Sequence, residues 1–325
     1  AGLTDSATGS GKIILNPGVY SINRTTIPAG ITLQGTTSSV WVLSAVNTHM
    51  ASVYGKIEGM FIDGSDVASS ESLLEFRTGS RLRNSTLYGT KNFASGKAQT
   101  WAYSVKNAND VVIESNNFYG MRGTDGEALA GDDGALGIYK STNIIFRYNY
   151  SKSENGQSGG KTYSIWHSSQ VRVYNNFFDD VGVATLLVMP GANSGIFVDS
   201  NYFLSGVGAL SASGFIAVVN TGGEQSVSTG GIIISNNVFR TQGNDTSNVI
   251  DSLGGLAGRL HTLKVTGNHC SCFGTNSVTF LNIVSTVLQA VAMNNTVTGC
   301  LDDIADAGQS TKYTGNDNFF DGSEQ

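Results

Sequence analysis

Four carboxylates crowd one glycine-rich stretch, "GMRGTDGEALAGDDGALGIYK", which runs from Gly120 to Lys140. Asp125, Glu127, Asp132 and Asp133 lie there among five glycines between Gly120 and Gly134. Like charges this close repel unless something uses them. Glycoside hydrolysis uses such groups in pairs, one protonated as the acid and one ionised as base or nucleophile. The same oxygens would suit calcium, but the spacing matches no calcium loop. A solvated loop tip is the plain alternative.

A second constellation follows at once. "GALGIYKSTNIIFRYNY" (Gly134 to Tyr150) and "KTYSIWHSSQVRVYNNFF" (Lys161 to Phe178) share one plan. Each has an apolar strand, an aromatic beside a basic residue, a polar turn, and a second strand ending in Asn. Lys140 to His167 is 27 residues, as is Asn149 to Asn176, so the basic residues fall at one height on neighbouring repeats. If Ile138 and Ile165 point inward, strand alternation turns Tyr139 and Trp166 outward. Two such rings would form a flat platform for the C–H faces of a sugar. Arg147 and Arg172 alternate outward on neighbouring strands and would suit an anionic glycan. Asp179 and Asp180 follow Phe177-Phe178 at a turn and would face the same groove, but for them, for the two arginines and for Lys152, Glu154 and Lys161 a solvated turn is the plainer reading. Serine-nucleophile elbows, phosphate loops and zinc spacings are absent, and the four histidines are widely separated. No cofactor and no catalytic metal is expected.

The elements that would hold these residues come from a repeat. "DVVIESNNF", "NIIFRYNY", "QVRVYNNFF", "GIFVDSNYF", "GIIISNNVF", "TLKVTGNHC" and "QAVAMNNTV" share two apolar residues two apart, then an Asn three further on. The anchoring residues read as Asn117, Asn149, Asn176, Asn201, Asn237, Asn268 and Asn295, at spacings of 32, 27, 25, 36, 31 and 27. Asn318 in "NDNFFDG" adds a further step of 23, and weaker copies put Met60 and Ser85 at the Asn position. Pairs such as Val171/Val173 and Leu263/Val265 alternate with Arg172 and Lys264, which is strand periodicity. Short strands repeating near every 30 residues, without helix, mean coils that stack into a β-solenoid. The anchoring Asn would tolerate a left-handed turn and hydrogen-bond from coil to coil. Tyr119, Phe178, Phe203, Phe239 and Cys270, two positions on, would form an interior stack. About ten coils at ~4.8 Å each give a rod roughly 50 Å long.

Composition agrees. Charged residues are only 14% of the 325 and Gly numbers 41, which suits tight turns and short strands rather than long helices. The net charge of −6 argues against nucleic acid, and no apolar run reaches the length of a membrane span. The N-terminus shows no export signal. Cys270, Cys272 and Cys300 form an odd set without metal-like pairing. They read as core thiols, with a bridge between neighbouring repeats as the alternative.

"GKIILNPGVYSINRTTIPAGITLQG" (Gly11 to Gly35) resembles the opening coils of the pectate-lyase-like, right-handed parallel β-helix superfamily. Phage tailspikes and secreted polysaccharide-degrading enzymes commonly begin this way, and the later Asn coils are similar. The resemblance covers nearly the whole chain and implies an all-β, right-handed parallel β-helix as a single domain, 1–325. In such families an apolar cap usually precedes the first coil. The start at "GKIIL" therefore suggests a fragment of a longer protein. "YKSTNIIFRYN" is similar to a Lys-Ser-x-Asn coil of the chondroitinase B and alginate lyase family, where the lysine removes the proton beside the sugar carboxylate. Lys140 matches that lysine. His167 stands where that family carries an arginine.

The expectation is recognition and cleavage of a bacterial capsule or O-antigen polysaccharide by a tailspike-like depolymerase, on a virion tail or otherwise extracellular. Hydrolysis by two of the four carboxyls leads. A lyase using Lys140 or Tyr139, with His167 nearby, and a non-catalytic adhesin or shaft are the alternatives. The resemblance, with outward apolar residues such as Phe197 and Ile233, implies a homotrimer.

Overall fold

In the computed structural model the described residues are 10–22, 25–43, 51–64, 72–88, 101–119, 134–152, 161–179, 184–188, 192–204, 214–220, 230–242, 248–254, 262–273, 278–283, 287, 289–300, 302–306, 313–316 and 318–320. Among them every regular element of more than a bridge is a β-strand, and every strand pairing is parallel. Among the described residues no helix is long and apolar enough to cross a membrane. The strands form three sheets of twelve, twelve and eleven, each built from every third strand of the chain. The expected solenoid is therefore present. One coil shows the plan: Thr142–Arg147 in the first sheet, Tyr150–Lys152 in the second and Lys161–Trp166 in the third. The next coil starts at Ser169–Tyr174.

Alternation sets the core. Leu82, Ile113, Phe146, Val173 and Val198 form one buried column on the first sheet. On the second sheet the buried column runs Leu87, Phe118, Ser151, Phe178, Phe203, Phe239, Cys270. Ser151 leaves a gap in this stack of rings, and Tyr163 fills it from the third sheet. Its ring packs 5.1 Å from Phe146 and 5.3 Å from Phe178, and its hydroxyl donates to Ser151 Oγ at 2.8 Å. Burial pushes that phenol above its usual range. The third sheet is buried on both faces: outward-alternating Ser104, Ser164, Ala217 and Asp251 are as buried as inward Val105 and Ile165. One such strand reads as a continuous apolar run, "IAVV", whereas Ser104, Ser164 and Asp251 bury polar groups on the outer face.

The turn from first to second sheet carries the Asn ladder. Asn176 Oδ1 accepts from the backbone N–H of Asn149 at 2.9 Å and from its Nδ2 at 3.1 Å. Asn176 Nδ2 donates to Phe146 O one coil back and to Asn201 Oδ1 one coil on. The pattern repeats through Asn201, Asn237, Asn268 and Asn295 to Asn318. At the other end Ser85 and Met60 occupy the column as expected, Met60 N–H donating to Ser85 Oγ and Ser85 N–H to Asn116 Oδ1.

Two expectations need correction. The anchor of its coil is Asn116, which is buried, whereas Asn117 is exposed. Phe118 therefore takes the interior place and Tyr119 lies on the outer face. The apolar pair Val111/Ile113 leads to Asn116, since Asn117 would put Glu114 in the apolar place, and a shift of one residue exchanges the faces. Nor is the ladder Asn left-handed. The residue before it is: Ser115, Tyr148, Asn175, Ser200 and Asn236 have φ of 56, 54, 55, 54 and 54°.

The cysteines are also not three core thiols. Cys272 and Cys300 form a disulfide across consecutive coils, with Cα atoms 5.1 Å apart, and Cys270 stays a buried thiol. The register brings this about: Ser271 pairs with Thr298, so Cys272 runs alongside the turn that carries Cys300.

Asn176→Leu should destabilise the protein by about 1–3 kcal/mol, because it strands the Asn149 N–H and the Phe146 carbonyl in the interior. Asn175→Gly at the exposed left-handed position should cost little or nothing. Thermal and urea denaturation of both variants check the pair.

Candidate functional site

The stacked basic–aromatic pairs are where the repeat places them. Tyr139 pairs with Trp166 and Ile138 with Ile165, the isoleucines buried and the rings half-buried. Lys140 and His167 occupy the left-handed turn from third to first sheet, with φ of 48 and 50°, directly above Asn107 at 49°. The serine after each closes the turn. Ser141 Oγ accepts from Ala108 N–H at 3.2 Å and Ser168 Oγ from Ser141 N–H at 3.1 Å. The repeated Lys-Ser and His-Ser wording is thus a turn ladder, and the basic side chains ride on it.

The rings do not make a flat platform. Tyr139 and Trp166 meet at 5.4 Å and 71°, edge to face, while His167 stacks on Trp166 at 5.5 Å and 20°. Lys140 Nζ lies 5.0 Å over the Tyr139 ring. The buried Trp166 Nε1 makes no hydrogen bond among the described residues.

Asp125, Glu127, Asp132 and Asp133 lie outside the described residues, as does Asp180. The anchor of their loop is fixed, however. The chain re-enters the third sheet at Gly134, the first residue of Gly134–Tyr139. At about 3.3 Å per residue, that start lies roughly 16 Å from Tyr139. The loop's anchor and the Tyr139–Trp166 cluster therefore stand at opposite ends of one strand.

The two arginines separate. Arg147 donates to Glu114 Oε2 through Nε at 2.8 Å and Nη2 at 2.6 Å, and to the Tyr174 hydroxyl at 2.7 Å. These partners, the Glu114 hydrogen bonds first, hold its pKa above the ordinary value. With Arg83 on Glu58 at 2.6 Å, alternating charges climb the outer first sheet. Arg147 is spent in that ladder and offers no open grip for an anion. Arg172 is exposed, its guanidinium 5.9 Å over Phe197.

A further surface lies on the outer second sheet. Phe61, Tyr88, Tyr119, Tyr150, Phe177 and Tyr202 follow one another coil by coil, with centroids 5.5, 5.5, 5.8, 5.6 and 4.8 Å apart; Tyr88 and Tyr119 stack in the outward column two residues on, and tilted contacts join them to Phe61 and Tyr150. At ~4.8 Å per coil this stripe is about 24 Å long. Beside its upper half runs an open groove of about 550 Å³, lined by Tyr148, Tyr150, Phe177 and Tyr202, with Asn175, Ser200 and Asn236 among its polar groups. Tyr148 is exposed at φ 54°, a position that its column otherwise gives to small or polar residues. A bulky residue there carries strain of roughly 1–2 kcal/mol.

Polar groups hold the walls. The Tyr150 hydroxyl donates to Asp179 Oδ2 at 2.8 Å, and Lys152 Nζ lies 3.3 Å from the same oxygen. Burial, then the Asp179 contact, pushes the Tyr150 phenol up to about 12, so it stays a donor at neutral pH. Asp199 accepts from Ser235, Asn236 and Ser200 at 2.6, 2.9 and 2.9 Å. Burial opposes its charge, but these hydrogen bonds outweigh it and lower the pKa. The sequence did carry a signal for this surface. An aromatic follows the ladder Asn directly in Asn149-Tyr150, Asn176-Phe177 and Asn201-Tyr202. That position alternates outward, and only the next, interior one drew notice.

Asp199 sets a pH test. Its folded pKa is depressed, so its stabilisation is complete above the unfolded value and is lost as pH falls through the folded one. Asp199→Asn should therefore flatten the fall in melting temperature below about pH 4. Equal acid slopes for variant and wild type would show that these three hydrogen bonds do not lower the Asp199 pKa.

No family model matches the sequence, and no curated protein matches it. Solved structures do. The tailspike of Escherichia coli bacteriophage HK620, in complex with pentasaccharide, aligns at a TM-score of 0.68 and 10% identity, over 95% of this chain and 59% of that one. PfbA, a surface adhesin of Streptococcus pneumoniae, aligns at 0.62 and 14%, over 96% and 84%. A hyperthermoactive exopolygalacturonase from Thermotoga maritima aligns at 0.58 and 11%, over 97% and 85%. The chain is thus structurally similar to parallel β-helix proteins that include a phage tailspike, a surface adhesin and a polysaccharide-cleaving enzyme.

Proposed function

We propose that this protein recognises a bacterial surface polysaccharide, capsule or O-antigen, and that the glycan lies along the outer second sheet. The carrying observation is the outer stripe of six aromatic rings, of which Tyr150, Phe177 and Tyr202 stack beside the groove. Sugar rings pack their C–H faces on aromatics while hydroxyls take the polar rim. The tyrosine hydroxyls, Asn175, Ser200 and Asn236 supply that rim. The structural neighbours support the reading, one being a tailspike solved with a pentasaccharide and another a surface adhesin. The place of action is a virion tail or otherwise extracellular. Assembly as a homotrimer draws on the exposed Phe197 and the half-buried, outward Ile233 of the first sheet.

Cleavage belongs to the same proposal. Two of Asp125, Glu127, Asp132 and Asp133 would serve as acid and base in hydrolysis. A lyase reading keeps Lys140 or Tyr139 as base and moves the glycan to the turn from third to first sheet, where Lys140 lies exposed beside the Tyr139 ring. A binder that cuts nothing needs only the groove.

Phe177→Ala should weaken glycan binding by about 1–3 kcal/mol. Titration of capsule or O-antigen fragments against both proteins checks this, and equal affinities would move the site off the second sheet. Asp125→Asn, Glu127→Gln, Asp132→Asn and Asp133→Asn, made singly, should abolish turnover in at least one case and leave binding intact. Reducing-end release separates cutting from mere binding, and absorbance of a new unsaturated bond separates lyase from hydrolase. If all four variants cut at the wild-type rate, the carboxyl pair fails. If the wild type cuts no capsule or O-antigen it binds, the protein is an adhesin.

A further inference from the structure

We propose that Cys270, Cys272 and Cys300 become a three-thiolate site for a soft monovalent cation of the copper(I) type once the Cys272–Cys300 bridge is reduced. The three sulfurs lie within 4.8 Å of one another. Cys270 Sγ stands 3.7 Å from Cys300 Sγ and 3.9 Å from Cys272 Sγ. A metal–thiolate bond is about 2.3 Å, and three such bonds in a plane put the sulfurs about 4.0 Å apart, the bond length times the square root of three. Cys270 therefore already stands at ligand spacing from both bridge sulfurs.

The backbone makes the spacing hard to avoid. Cys270 and Cys272 are two apart on His269–Phe273, and Cys300 comes from the turn one coil on. Strands stacked at ~4.8 Å hold these positions whatever the sulfur oxidation state. Cys270 and Cys300 are buried, while half-buried Cys272 gives a cation its entry. No His, Asp or Glu joins the group among the described residues. Zinc prefers four ligands. Three thiolates without a nitrogen or oxygen donor suit copper(I) better.

The chemistry balances. A dithiol supplies two electrons and two protons, the S–S bond breaks to two thiols, and the dithiol closes to its own disulfide. A phosphine does the same in vitro, ending as its oxide with oxygen from water. Copper(I) then bonds the three sulfurs as their protons pass to solvent. In the oxidised protein only Cys270 keeps a thiol.

The test titrates the whole chain with copper(I) held by a chromophoric competitor, before and after phosphine reduction. The reduced chain should withdraw a single cation and melt at a higher temperature with it than without it. The oxidised chain should withdraw none. Reduced Cys270→Ser should bind more weakly by more than the roughly 10–100-fold that loss of an outer-shell partner costs. Equal uptake by oxidised and reduced wild type would overturn the site without any variant. So would a folded Cys270→Ser chain, checked by its oxidised melting temperature, that binds as tightly as wild type.

Discussion

A turn that points its backbone N–H into the interior needs a partner that no strand can reach, and the asparagine side chain answers this need. Its amide carries donor and acceptor together, so one residue type can satisfy the coil below and the coil above. Asn149 and Asn176 do this in succession, each Oδ1 taking two bonds, while Nδ2 of Asn149 reaches two acceptors and that of Asn176 three, the third being Tyr174 O. An unpaired buried amide would cost about 1–3 kcal/mol at every coil. The ladder therefore fixes the rotational phase of the solenoid, and all else is counted from it. The residue before it is left-handed, the residue after it faces out, and the next faces in.

That phase produces two aromatic columns from adjacent positions. Phe178, Phe203 and Phe239 stack inside, while Tyr150, Phe177 and Tyr202 stack outside. The inner rings fill the core. The outer ones leave Phe177 exposed in a chain that has little charge to cover it. Tyr148 adds a strained ring to the same wall. An exposed stripe and a bulky left-handed residue both run against stability, and they meet at one groove. Surfaces that break local rules in this way are where function is expected.

Charge is handled on a different face. Glu58, Arg83, Glu114 and Arg147 alternate up the outer first sheet and neutralise one another. The second-sheet groove instead presents hydroxyls and amides, with Asp179 and Asp199 engaged by their neighbours. Such a wall suits a hydroxyl-rich chain better than a highly charged one. The fold itself does not choose between binding and cutting, because one scaffold hosts many chemistries.

Much of the fold was legible because its cause is local. Period-two alternation, the Asn template and the 27-residue register of Lys140 and His167 all survive intact in the stacked sheets. The same register correctly set Tyr139 over Trp166. The doublet Asn116-Asn117 was decidable too, since Val111 and Ile113 lead to Asn116 whereas Asn117 would put Glu114 in an apolar place, and one step exchanges the faces. What a side chain does once it arrives lay beyond the sequence. Arg147 looked available, but Glu114 lies 33 residues away in the chain and one coil away in space. The tilt of Tyr139 against Trp166 and the choice of Cys272 over Cys270 as partner of Cys300 were settled the same way. Strand pattern is written along the chain, whereas pairing is decided across coils, where only the stacked backbone brings the partners within reach.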